Sequence, residues 1–135
     1  MKHNTPNEPP REHAHFNFEI VDEDYPQLVT VEFLSRAITD PPHAAELSQQ
    51  LALLLNRELP KKFVLDFQHV RLMSSTGFGA LMSFLLKVRE AGGQVKICNM
   101  DEFVRFGADV IRLGDYAKFA TSRNSAIEEF LNHSD

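Results

Sequence analysis

The stretch VLDFQHVRLMSSTGFGALMSFLLKVREAGGQVKICN, residues 64–99, decides the fold. It begins inside KKFVLDF (61–67), a nearly unbroken apolar run of the kind that forms a strand covered on both faces. QHVRLMSST (68–76) reads as a loop. From Ser75 or Thr76 to about Glu90, Phe78, Leu81, Met82, Leu85 and Val88 recur at helical spacing and form one apolar stripe. AGG (91–93) ends that helix through a glycine able to enter the left-handed region. QVKIC (94–98) is the next strand.

Upstream, FNFEI (16–20) alternates as a strand with one wet face does, and LVTVEFL (28–34) is its expected antiparallel partner across DEDYPQ. TDPPH (39–43) announces a helix over 44–59, with Leu47, Leu51, Leu54 and Leu55 on its inner face and Pro60 stopping it. Downstream, DEFVRFGADVIRLG (101–114) reads as a helix whose face Phe103, Phe106, Val110 and Leu113 is expected to be core. YAKFA (116–120) is a short last strand. TSRNSAIEEFLNH (121–133) ends as a helix, capped by Asn124 or Ser125 with Glu128 completing a capping box. Strands alternating with helices predict an α/β fold: a four- or five-stranded mixed sheet with 63–65 in its central strand. Helices 44–59, 76–90 and 101–113 should lie mainly on one face, and the last helix at the margin. Residues 1–13, MKHNTPNEPPREH, have little to bury and are expected to be a disordered tail before a domain at 14–135.

At 135 residues and 43% apolar composition, the chain fits one domain with one modest core. No apolar run is long enough to span a bilayer, and no apolar stretch follows Met1, so the expectation is a cytoplasmic protein without membrane insertion. The net charge of -5 disfavours nucleic acid as a partner. The lone Cys98 cannot form an internal disulfide and reads as a buried small hydrophobe. The six histidines include His13 and His15 near one end, and solvated rings are the expectation there, with no metal or cofactor implied.

The chemistry sits at Ser74, Ser75 and Thr76, directly before Gly77, Phe78 and Gly79. Hydroxyls at a helix start commonly cap it. Free N–H groups and the helix dipole also make the place receptive to an anion, including a phosphate on one of these hydroxyls. Small residues leave the first turn open to another protein's surface. No Lys follows the glycines, so this is not an ATPase phosphate loop. Asp66, His69 and Ser75 supply the residue types of a hydrolase triad, but no G-x-S-x-G elbow presents the serine.

The same stretch resembles the centre of the STAS domain, named for sulfate transporters and anti-sigma factor antagonists. A strand ends in Asp66, Ser75-Thr76-Gly77 opens a helix with Gly79 and Leu81 behind it, and AGG leads into an apolar strand. The likeness extends over about residues 16–133. In the bacterial antagonists an Asp-Ser pair precedes the glycine step, and its serine is phosphorylated. The resemblance implies that role for Ser75, with Thr76 as the fallback, while Ser74 stands where the family has Asp. It implies a regulatory module, not an enzyme, that docks Ser74, Ser75, Thr76, Gly77, Phe78, Gly79 and Met82 onto an anti-sigma factor or serine kinase of the ATP-binding type, with Asp66 in support and a phosphatase for reset. The alternatives are a non-phosphorylated STAS adaptor or scaffold subunit of a larger signalling or transport complex, and a serine hydrolase. On this reading Gly77→Asp should leave the domain folded and remove the partner.

Overall fold

The computed structural model describes residues 16–22, 25–55 and 61–132. The proposed tail and the C-terminal end of the 44–59 helix lie outside the described residues. The elements in order are β1 (Phe16–Asp22), β2 (Tyr25–Phe33), β3 (Ala37–Ile38), α1 (Pro41–Leu55), β4 (Lys62–Asp66), β5 (Leu72–Met73), α2 (Ser75–Glu90), β6 (Gln94–Cys98), α3 (Glu102–Val110), a 3-10 turn at Leu113–Asp115, β7 (Lys118–Ala120) and α4 (Arg123–Asn132).

Five strands form one mixed sheet in the order β1-β2-β4-β6-β7. β1 is antiparallel to β2, and every other neighbour is parallel. β4 is central, as its apolar run requires: Phe63, Val64 and Leu65 are all fully buried. The period of two divides its side chains between two layers. Phe63 and Leu65 join Val29, Val31, Val95 and Ile97 beneath Leu47, Leu51 and Leu54 of α1 and Leu81, Phe84, Leu85 and Val88 of α2. Val64 points the other way, into a smaller cluster with Leu28, Cys98, Ala126 and Phe130. The last helix, expected at the margin, therefore covers the opposite face of the sheet, where Ala126 and Phe130 seal β4 and β6.

Three further expectations change. The loop 68–76 contains β5, which pairs in parallel with β3 through Ala37↔Leu72 and Ile38↔Met73. This two-stranded ladder ties the entrance of α1 to the entrance of α2. The cap of α4 is Ser122, whose Oγ accepts the Ser125 N–H at 3.0 Å, while the Ser125 hydroxyl donates to Glu129. No capping box with Glu128 is needed, because the helix starts at Arg123, two residues earlier than Ser125.

The largest change is in α3. Phe103, Phe106 and Val110, expected to be core, are 84%, 72% and 67% exposed. α3 is buried through Val104 and Ala108 instead, and only Leu113 of the expected stripe is inside. Gly107 explains the rotation. A Cβ at that position would stand 2.8 Å from the Phe78 ring, so the small-residue side of α3 is the side that can approach α2.

Candidate functional site

The start of α2 is held from three directions. The Ser74 N–H donates to Ile38 O at 3.1 Å, and the Ser74 hydroxyl donates to Thr39 O at 2.7 Å. Ser74 Oγ in turn accepts the Gly77 N–H at 3.3 Å. Ser74 is the N-cap of the helix, with extended backbone angles. Gly77 is pressed against β3: a Cβ there would meet Ile38 O. A substituent at 77 therefore collides with backbone that cannot swing aside, which corrects the expectation that Gly77→Asp leaves the domain intact. Gly79 faces open space and is the position that tolerates a side chain.

Because Ser74 caps the helix, the next two hydroxyls are left over. Ser75 and Thr76 are exposed, and neither side chain has a hydrogen-bond partner among the described residues. The first turn carries no acidic residue, so the positive end of the dipole is uncompensated by the helix itself. The arrangement can present a hydroxyl to another protein and accept negative charge on it without unfolding. An aspartate at 74 could also cap. It could not donate to Thr39 O as the serine does, since a carboxylate only accepts.

The other sequence candidates divide around this point. Phe78 is 8% exposed, with its ring against Gly107, and is a support rather than a contact. Met82 and Met73 are half-buried. Phe67 is fully buried, with its ring 4.6 Å from that of Phe33. Asp66 is 2% exposed and belongs to the sheet layer that faces α4. Its Oδ1 accepts the Gln68 N–H and the Asn99 amide at 3.0 and 3.1 Å, and Oδ2 lies 3.9 Å from Arg123 Nε. Asp66 thus closes the ends of β4 and β6. Asn99, whose φ of 60° is left-handed, is turned back to meet it. His69 is committed to Glu32 at 3.1 Å. No hydrogen bond links Asp66, His69 and Ser75 among the described residues, so the elements of a triad are present without its geometry.

Sequence reasoning missed the surface beside this site. α3 is pinned next to β5 by an ion pair between Arg71 and its cap Asp101 at 3.6 Å, and next to α2 by the Phe78–Gly107 contact. It presents Phe103, Phe106 and Val110 outward, with Leu72 of β5 also exposed. Large apolar residues grouped on one exposed face mark an interaction surface. The available signal was Gly107-Ala108: small residues identify the close-packed side of a helix, leaving the bulky arc outside.

The STAS domain family matches residues 29–126 of the sequence. The chain belongs to the STAS-domain family. No curated protein matches it significantly. Solved structures share the fold. The Bacillus cell fate determinant SpoIIAA in its phosphorylated form superposes with a TM-score of 0.65 at 15% identity, over 84% of this chain and 97% of that one. SpoIIAA in its unphosphorylated form gives 0.71 at 16% identity, over 89% and 99%. An anti-sigma factor antagonist from Mycobacterium paratuberculosis gives 0.67 at 18%, over 84% and 92%. The murine Solute Carrier 26 family member A9 anion transporter gives 0.69 at 13%, over 79% of this chain and 18% of that one. STAS membership places the chain among regulatory binding domains rather than enzymes. No helix among the described residues is long and apolar enough to cross a membrane.

Cys98 lies on the α4 side of this STAS sheet, packed with Ala126 and Phe130. Burial, followed by the negative charge of Asp66, pushes its thiol up to about 12. At pH 8 the folded chain should therefore react with a thiol reagent far more slowly than the chain in denaturant. Equal rates would show that α4 opens freely. The sign for stability follows from the raised value. The unfolded thiol releases its proton near 9.0 and the folded one does not, so stability contributed by this group falls as pH rises from 9.0 toward 12.

Proposed function

We propose that this STAS domain is an anti-sigma factor antagonist-like regulator switched by phosphorylation of Ser75. In its unmodified state it docks the start of α2, including Ser75, Thr76, Gly79 and Met82, onto an anti-sigma factor or serine kinase of the ATP-binding type. Docking releases a sigma factor. The observation that carries this reading is the division of labour among three adjacent hydroxyls: Ser74 is consumed by the cap, while Ser75 and Thr76 are exposed without hydrogen-bond partners among the described residues. The exposed face of α3 supplies the apolar anchors that the polar helix start lacks.

The chemistry asked of this chain is small. The kinase brings ATP and the catalytic groups: Ser75 Oγ bonds to the γ-phosphorus as its bond to the β,γ-bridging oxygen breaks, ADP leaves, and the hydroxyl proton passes to a base of the kinase. The resulting phosphate has about −1.5 to −2 charges at neutral pH. In the free domain it stays in water beside the unpaired N–H groups of the first turn. In the complex it must be desolvated against the partner, so affinity falls. A phosphatase restores the hydroxyl.

Intact mass and peptide mapping of the protein from its own cells should find one phosphate, on Ser75, absent in Ser75→Ala. Ser75→Glu should weaken the partner by at least about tenfold, a charge burial of the order of 1.4 kcal/mol or more. Protein unmodified under all growth conditions, together with partner binding indifferent to Ser75→Glu, would overturn the switch. That result would favour the second reading, a constitutive STAS adaptor or scaffold subunit, for which the α3 face suffices without any phosphate.

A further inference from the structure

A serine outside α2 is paired with a histidine. Ser35 follows β2, and its Oγ lies 3.2 Å from His43 Nε2. His43 Nδ1, on the other edge of the ring, lies 3.8 Å from Asp40 Oδ1. Hydroxyl, imidazole and carboxylate thus stand in a row, the arrangement that Asp66, His69 and Ser75 lack. A carboxylate only accepts, so Asp40 favours the ring form with its proton on Nδ1. Nε2 is then the acceptor, and the Ser35 hydroxyl donates to it.

The backbone holds this row at both ends. Asp40 immediately precedes α1, which opens Pro41-Pro42-His43, and Asp40 O accepts the Ala44 N–H at 3.0 Å. The two prolines have fixed φ and need no hydrogen bond in a first turn. The carboxylate and the ring, three residues apart, share one face of that turn. On the serine side, Arg36 O accepts the Arg71 and Leu72 N–H groups at 2.7 and 3.1 Å, and Ala37 enters β3. The row is also reachable from solvent. Ser35 is partly exposed, and the His43 and Asp40 side chains keep 21% and 60% of their surface.

We propose that Ser35 is an acylation site, modified by an acyl thioester with His43 as the base. Ser35 Oγ bonds to the carbonyl carbon while its proton passes to His43 Nε2. The carbon–sulfur bond then breaks, its electron pair stays on sulfur, and the thiol leaves with the proton from His43. The products are an ester on Ser35, a free thiol and a neutral His43. A hydrogen-bonded imidazole, itself oriented by a third group, is what turns an ordinary hydroxyl into a nucleophile. Asp40 is the positioning residue. The step modifies the chain once and involves no turnover. It does not rest on phosphorylation of Ser75. Ser35 leads into β3, whose Ile38 O holds the Ser74 N–H at 3.1 Å, so the modified residue and the start of α2 belong to one bonded frame.

Treatment of the full chain with phenyl thioacetate, followed by peptide mapping, tests it. An acetyl ester is expected on Ser35. It should form at least about tenfold faster than on Ser75, an exposed hydroxyl with no hydrogen-bonded base among the described residues. His43→Gln should slow Ser35 by about a hundredfold, the low end of what a positioned base contributes. In urea the two serines should react alike, which separates the folded pair from the reactivity of the local sequence. Asp40→Asn should slow Ser35 severalfold and, in nitrogen NMR spectra of the His43 ring, replace the Nδ1–H form by a mixture of both tautomers. Acetylation of Ser35 no faster than of Ser75, or unchanged in His43→Gln, would overturn the proposal. So would a preference for Ser35 that persists in urea, or acetyl groups confined to lysines. An unchanged ring tautomer in Asp40→Asn would remove Asp40 from the row.

Discussion

Replacing Gly77 by alanine will destabilise the domain by about 1–3 kcal/mol, while the same change at Gly79 will leave it as stable or stabilise it by about 0.5–1 kcal/mol. Both glycines lie in the first turns of α2, and helix propensity alone would favour alanine at both. The difference is tertiary. The Cβ of residue 77 would run into Ile38 O of β3, and backbone cannot move away as a side-chain tip can. β3 is itself fixed by its ladder to β5 and by the Ser74 N–H. A Cβ at residue 79 would meet nothing within 4 Å among the described residues, its own stretch of helix backbone aside. Urea denaturation of the two variants beside the unaltered chain measures this directly. A Gly77→Ala midpoint equal to that of the unaltered chain would mean that β3 does not press on α2 in solution. Gly79→Asp follows as the usable probe of the docking face: it should fold, and it should lose the partner through bulk and charge.

Phe103→Ser combined with Phe106→Ser should hardly change stability, within about 0.5 kcal/mol, as expected for exposed positions. Its effect on binding should be large. Under the proposed function, two aromatic anchors leave the interface together, and affinity for the anti-sigma factor or kinase should drop by at least about a hundredfold, the scale of a pair of hot-spot residues. Thermal melting and a binding isotherm on the same preparations separate the two readouts. A variant that melts much earlier would show that the two rings are core after all. One that binds unchanged would remove α3 from the partner surface and leave the start of α2 to act alone.

What the sequence determined is what repeats along it or sits next to itself. The all-apolar run at 63–65 could only be a strand covered on both faces, and it became the central strand. The spacing of Phe78, Leu81, Leu85 and Val88 set the inner face of α2, and AGG set its end, with Gly92 at a φ of 83°. The three consecutive hydroxyls and the glycines behind them were legible as a candidate site, because a helix start places neighbours in sequence together in space.

Only the tertiary structure decided which hydroxyl caps and which is presented, since that turns on Thr39 and Ile38, more than thirty residues away in the chain. It also decided the orientation of α3. Hydropathy ranks Phe103, Phe106 and Val110 above Gly107 and Ala108, but α3 settles close to Phe78, and only small residues fit at that distance. Asp66 shows the same division. Its place at a strand end can be read from sequence, whereas its side of the sheet depends on the pleat counted from Phe63, which turns it toward Asn99 and Arg123 and away from the layer that carries α2.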